Sequence, residues 1–313
     1  MGGNEVSQLS TDLLAHTDLA VPPRDPAGRV GAHSMRARRP STLARMMAPS
    51  FTQMQILQAI SGAVTLGMLV WGNASAWWWL LALVAYFLTG CLGLTVTLHR
   101  ALTHRAIKLP RPLEVMFTLF GAAGGSGSSV AWAAMHRSHH ANVDNENDPH
   151  SPEKLGWRLI FSVYDYDFDP RHAKDLLRDK FHMFVHRYYT VLLLAWCFAL
   201  GAIDIRLCVF VFMVPAFVQI TVSNLTSLLT HSQGYRRYET RDHSANNPLI
   251  ALLGWGEGWH NNHHAAPLRW SFSRRWWEID PGAVAIAGLI ALGLVPREPV
   301  VRESAVSARS SSS

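Results

Sequence analysis

Charge is what this chain has least of. Asp, Glu, Lys and Arg together make up 16% of its 313 residues, against roughly 25% in a soluble domain. Hydrophobic residues reach 49%, and that balance turns the reading toward a membrane protein. Cysteine is scarce too. Cys91, Cys197 and Cys208 all fall in apolar runs, where they read as buried small hydrophobes and not as a disulfide or metal set. Residues 1–45 contain no apolar core long enough for a signal peptide. There is no His-Pro-Gly-Gly of the kind that binds heme, no Gly-x-Gly-x-x-Gly opening a strand–helix unit, and no internal repeat. Any redox chemistry therefore needs an external electron donor. The net charge of +6 comes from basic residues beside apolar segments, which is a topology signal and argues against nucleic acid as a partner.

What is present is a set of long apolar runs. Segments at about 53–72, 77–98, 188–203 and 206–229 approach or reach the roughly 20 residues of a spanning helix. Several of the 12 tryptophans flank these runs, as interfacial aromatics do. The link Gly72–Ala76 carries no charge, whereas 100–112 carries Arg100, Arg105, Lys108 and Arg111, and Arg36, Arg38, Arg39 and Arg45 precede the first run. The positive-inside rule puts both basic clusters, and both termini, on the cytoplasmic side. The stretch 113–131 begins apolar and becomes Gly- and Ser-rich, so it is expected to be interfacial or re-entrant. The run 282–295 is too short for a confident span. The expectation is an all-α integral membrane protein with four transmembrane helices and a cytoplasmic helical cap. Its membrane domain covers 46–296, between disordered tails at 1–45 and 297–313.

Histidine is clustered. His260, His263 and His264 stand at i, i+3 and i+4, as do His136, His139 and His140, so on a helix each trio shares one face. Three imidazoles on one face crowd each other unless a cation holds them. His99 and His104 form a third box. Five residues apart on an unbroken α-helix, they would point about 140° from each other. They serve one centre only if the helix ends or unwinds, or if the centre holds two metals. Four spans would bring all three boxes out on one side of the bilayer. A zinc site takes about four ligands, so eight histidines imply two metals. Imidazole suits Zn, Cu, Fe and Ni alike, and the absence of cysteine from the boxes argues against an iron–sulfur cluster.

Four pieces of sequence, His99-Arg-Ala-Leu-Thr-His104, Trp132-Ala-Ala-Met-His136-Arg-Ser-His139-His140, Asp148-Pro-His150 and Gly256-Glu-Gly-Trp-His260-Asn-Asn-His263-His264, resemble, in this order, those of the membrane fatty acid desaturases. The likeness is nearest to the acyl-CoA and acyl-lipid Δ9-type, stearoyl-CoA desaturase-like branch. It implies a ninth ligand, His231, in a di-iron site made with His99, His104, His136, His139, His140, His260, His263 and His264. It also implies O2 as co-substrate and a cis double bond introduced between two methylenes of a fatty acyl chain. That chain would be carried on coenzyme A, a lipid or an acyl-carrier protein, with electrons from a ferredoxin or a cytochrome and its reductase. Asp148 and His150 are expected behind the ligands, and Trp132 either along the acyl tunnel or as an interfacial anchor.

Two departures stand out. Relatives of the animal enzymes carry Asn where this chain has Ser227, and Leu155–Ser162 lacks the family's Ser-His before a Gly-Trp. The same di-iron chemistry can give a hydroxylated or acetylenic product, and Ser227 is the one residue that points that way. A non-catalytic membrane metal-binding protein is the alternative from another class. It predicts ionisable residues inside the spans, which are nearly free of them.

Overall fold

The computed structural model describes residues 49–296, all helix, turn and loop among the described residues. The tails expected at 1–45 and 297–313 lie outside the described residues. Three helices are long and apolar enough to cross a membrane: α1 (Phe51–Val70), α2 (Ala76–Thr103) and α7 (Ile205–Thr230). Between them lie α3 (Arg111–Ala123), α4 (Ser129–Asn142), α5 (Lys180–Arg187) and α6 (Tyr189–Ile203). After α7 come α8 (Pro248–Leu253), α9 (His260–Ala265) and α10 (Pro281–Ala291).

The fourth expected span is shorter and broken. Helix α6 has 15 residues, about 22 Å at 1.5 Å per residue, and meets α5 at an angle of 72°. It qualifies as a span only when taken together with α5. Helix α3 has 13 residues and α10 has 11, too short to cross a hydrocarbon core of about 30 Å. This agrees with the weak hydrophobicity of 113–131 and the shortness of 282–295.

Helix α1 starts where its sequence allows it. The Ser50 hydroxyl accepts from the Gln53 backbone N–H and the Gln53 side-chain Oε1 accepts from the Ser50 backbone N–H, so each side chain satisfies the other residue's end donor. Inside the apolar bundle, Gln58 is buried and donates to the Ile160 carbonyl at 2.8 Å. Ser162 donates back to Gln58, and Asn224 of α7 donates to Ser162. The unusual stretch Leu155–Ser162 is thus pinned between α1 and α7 by a network of polar groups, each of which would be costly to bury alone.

The largest departure from expectation is in α2. From Phe87 to Thr103 its hydrogen bonds run i→i+5, a π-helix of 17 residues, where most π segments are single turns. Thr97 and Thr103 donate their hydroxyls to carbonyls five residues back, at Leu92 and Leu98. Helix α10 packs on this wide helix, with Ile286 against the cluster of Val96, Ala101 and Phe117.

Candidate metal centre

The π-helix resolves the geometry of box one. In a wide turn, five residues come back to nearly the same face, and the His104 N–H donates to the His99 carbonyl at 3.1 Å. Both imidazoles therefore enter one cluster, His99 from within the π-helix and His104 from its C-cap. Box two is brought to box one by its own arginine. Arg137 donates to the carbonyls of Leu102 and Thr103 at the end of α2, and pairs with Asp175. The start of α4 is held from below by His182 and His186, whose Nδ1 atoms lie 2.9 Å from the Ser129 hydroxyl and 2.7 Å from that of Ser128. His182 is buried although the sequence around it is polar.

Box three depends on its Gly-Glu-Gly lead. Gly256 has φ +105°, which favours glycine, and a Cβ there would stand 2.1 Å from the Asp280 carboxylate. A Cβ on Gly258 would stand 2.1 Å from the backbone nitrogen of Ala251 in α8. The two glycines let α9 pack directly on α8 and on the loop before α10. Glu278, buried in that loop, accepts from Asn262 and Tyr235.

The nine imidazoles divide into two groups. His99, His104, His136, His140 and His263 form one, and His139, His231, His260 and His264 the other; ligand atoms within each group lie within 4.8 Å of one another. Each i, i+3, i+4 trio is divided between the two groups. The i and i+4 imidazoles of box two join the first group and its i+3 imidazole the second, whereas box three does the reverse.

Either group could hold a metal ion, and the donor chemistry fits one. In the second group the Nδ1 atoms of His139, His231 and His264 face Asp148 at 2.9 Å, Asp144 at 3.1 Å and Asp242 at 2.9 Å. With those protons given to carboxylates, the three Nε2 atoms are bare lone pairs. The His260 Nε2 lies 3.0 Å from both the His231 and His264 Nε2 atoms, and one proton cannot serve both. The His139 Nε2 is buried with no hydrogen-bond partner. Converging lone pairs in a buried site are what a cation satisfies. In the first group His99 Nδ1 stands 2.5 Å from Glu257, and Nε2 atoms approach one another at 3.0 to 3.2 Å.

Electrostatics favour the neutral form of six of these rings. Burial first, and then repulsion among the imidazoles, pushes His104, His136, His139, His140, His260 and His263 well below the ordinary value near 6.5. Burial raises Asp148 to about 6. Burial opposes ionisation of Asp242 as well, but hydrogen bonds from His264, Ser244 and Thr240 outweigh it and hold this carboxylate well below its usual range.

Behind the first group, Arg100 is fully buried. It makes a two-pronged pair with Asp280 at 2.9 and 3.0 Å and lies 4.0 Å from the centre of the Phe272 ring. Phe272 in turn packs on His263 and His99. Sequence reasoning named Asp148 as a partner of the ligands and missed Asp144, Asp242, Glu257, Arg137 and Arg100. Glu257 sits inside the quoted Gly-Glu-Gly and Asp144 four residues before Asp148, so proximity to the boxes was an available signal. Asp242 had none.

A cavity opens on both groups. His136 of the first and His260 of the second line it, together with Trp132, Ser227, Tyr164 and His150. Trp132 is buried and stacks on His136 at 4.8 Å, a position inside the protein and not that of an interfacial anchor. His150 stacks on His139 at 4.0 Å, and burial lowers it to about 3. Cys197 and Cys208 are free thiols with sulfurs 3.2 Å apart, remote from the boxes in sequence.

Comparison with known proteins bears directly on this arrangement. Residues 76–296 match the family model described as fatty acid desaturase. The chain is 34% identical over 230 residues to the sn-1 stearoyl-lipid 9-desaturase of Synechocystis, covering 68% of this chain and 69% of that one. It is 36% identical over 229 residues to the protein of the same name from Anabaena variabilis, covering 68% and 80%. It is also 36% identical over 235 residues to an acyl-CoA 5-desaturase of Anemone leveillei, covering 70% of each. The chain belongs to the fatty acid desaturase family, and is an oxidoreductase with it.

Proposed function

We propose that this protein is an O2-dependent desaturase that introduces a cis double bond into a fatty acyl chain, using two iron ions held by His99, His104, His136, His140 and His263 on one side and His139, His231, His260 and His264 on the other. The observation that carries this reading is the shared cavity. It is lined by one imidazole from each group, His136 and His260, so a single chain can reach both metal positions at once. The relatives named for stearoyl-lipid and acyl-CoA substrates support a fatty acyl group, without choosing its carrier.

The balance of the reaction is a saturated –CH2–CH2– unit, O2, two electrons and two protons giving –CH=CH– and two waters. The bound irons supply the activation of O2 that removing hydrogen from unactivated methylenes requires. The chain does the rest. Trp132 buttresses His136 from the cavity side and gives the acyl chain an apolar wall. Asp144, Asp148 and Asp242 fix their imidazoles with Nε2 facing inward. Ser227 stands on the cavity wall and can hold a water beside His260. Two electrons per turnover come from an external ferredoxin or cytochrome, in line with the absence of a heme or dinucleotide motif.

In the membrane, α1, α2, α7 and the bent pair α5–α6 act as four spans, which brings α3, α4, α8 and α9 to the cytoplasmic face as a cap over the metal centre. The test is expression in a desaturase-deficient host with fatty-acid profiling. Wild type is expected to yield a new double bond and His263→Ala none. Profiles matching the empty vector, from iron-loaded protein with a competent donor, would sink the reading.

A further inference from the structure

The seam between α6 and α7 follows helical spacing on both sides. Leu193, Cys197 and Leu200 stand at i, i+4 and i+7 on α6, and Cys208, Phe212 and Ala216 at i, i+4 and i+8 on α7, so each set shares one face. The two faces meet in one apolar cluster, joined by Leu57 of α1. The other side of α6 is bare, with Leu194 65% and Phe198 78% exposed. A single residue, Asp204, links the helices and fixes how they face each other. Its N–H donates to the Leu200 carbonyl at 3.0 Å, and its carboxylate accepts from the Arg206 N–H at 2.8 Å. The helices run close beside this turn, where a Cβ on Gly201 would meet the Cys208 Cβ at 3.8 Å. In that seam the Cys197 and Cys208 sulfurs lie 3.2 Å apart, both as free thiols. That is closer than even carbon atoms usually pack, at about 3.5–4.0 Å.

We propose that Cys197 and Cys208 are a modification site, a thiol pair that closes reversibly to a disulfide by exchange with a low-molecular-weight disulfide and so staples α6 to α7. Cys197 is half-buried and Cys208 buried, which makes Cys197 the sulfur that meets the reagent. It lies six residues before the end of α6, about 9 Å along the helix from the hairpin tip. Its thiolate attacks one sulfur of the small disulfide and releases one small thiol. Cys208 then attacks the Cys197 sulfur and releases the second. The two cysteines lose two electrons and two protons, and the small disulfide gains them. Closure needs the sulfurs to approach by only about 1 Å, to the roughly 2.0 Å of a disulfide. A tie matters most here because α6 is the short helix that meets its neighbour at 72°. Apolar side chains in a bilayer gain little by leaving lipid for one another, so packing alone holds this seam weakly. The pairing of the two sulfurs does not depend on the desaturase reading.

The test treats the full-length protein in its membranes with 4,4′-dithiodipyridine, a small apolar disulfide, and then blocks remaining thiols with N-ethylmaleimide before denaturation. Trypsin cuts at Arg206, between the two cysteines, so closure is read by mass as two peptides of one chain that separate only on reduction. That linked pair is expected. Pyridyl adducts on either cysteine without a link overturn the proposal, as do recovery of both as unreacted thiols and a link between two chains. The staple is read separately by melting. The linked protein is expected to melt about 5 °C above the reduced one, a shift that dithiothreitol removes and that the Cys197→Ala and Cys208→Ala proteins do not show. Equal melting of linked and reduced protein overturns the staple, and so does the same shift in either variant.

Discussion

The two imidazole groups are built on different plans. The first has five rings and one carboxylate behind them, Glu257, which lies 3.6 Å from the buried Arg100. The second has four rings, three of them backed by aspartates. A carboxylate that accepts a ligand's Nδ1–H fixes its tautomer and makes its Nε2 a stronger donor. The second group therefore has fewer but more basic rings, and the first has more rings whose one anionic partner is shared with a guanidinium. The cavity that Ser227 lines opens on both groups, at His136 of the first and His260 of the second. Boxes two and three contribute to both, so neither position can form without the other's helices in place.

The largest expected effect breaks the comparison outright. His263→Ala removes a ring from the first group and His264→Ala one from the second. Each is expected to lower bound iron toward one equivalent per chain and to take product below detection, because the proposed reaction uses both positions. Metal analysis alongside fatty-acid profiling checks this. Two equivalents retained in either variant would mean that the rings are not ligands.

Sequence made the histidines visible and left their division hidden, for identifiable reasons. An i, i+3, i+4 trio on a helix looks like one face, but the i+3 ring diverges enough to join the neighbouring group. The i+5 pair in box one looked discordant because an α-helix was assumed, and no rule of composition foretells a 17-residue π-helix. His231 was reached through resemblance alone, its spacing being uninformative. The apolar runs gave α1, α2 and α7 nearly to their ends, since length and hydropathy decide spans. They did not reveal the bend before α6, which arises where the chain turns out of the polar α5. Asp242 was beyond reach because it meets His264 only through tertiary folding of 236–246, where Arg236 ties down the carbonyls of Thr240, Asp242 and Ser244.

A milder set of changes sharpens the difference. Asp144→Asn, Asp148→Asn and Asp242→Asn each remove one charge behind the second group, and each is expected to weaken metal affinity there about 10–100-fold. Glu257→Gln acts on the first group, with the smallest effect of the four, because among the described residues four of the five rings there have no carboxylate behind them. Stepwise chelation of the purified protein, followed by iron counting, ranks them. The expected order puts loss from the aspartate variants first and from Glu257→Gln last. The reverse order would show that carboxylates do not set the asymmetry.

The smallest expected difference is between loaded and metal-free protein as pH changes, and it tests whether the rings are already neutral before metal arrives. His104, His136, His140 and His263 in the first group, and His139 and His260 in the second, are held well below 6.5 by burial and by each other. In the unfolded chain these rings take up protons near 6.5. The unfolded state therefore binds more protons below that pH, and stability falls on acidification by up to about 1.4 kcal/mol per pH unit for each ring. It is fully restored above about pH 7.5. Metal-loaded protein has the same unprotonated rings in its folded state, so its stability should follow a parallel slope. Denaturant midpoints of loaded and metal-free protein from pH 5 to 8 decide the matter. Parallel curves mean that the fold alone keeps the lone pairs free. A flatter metal-free curve means that protons occupy the folded rings until a metal displaces them.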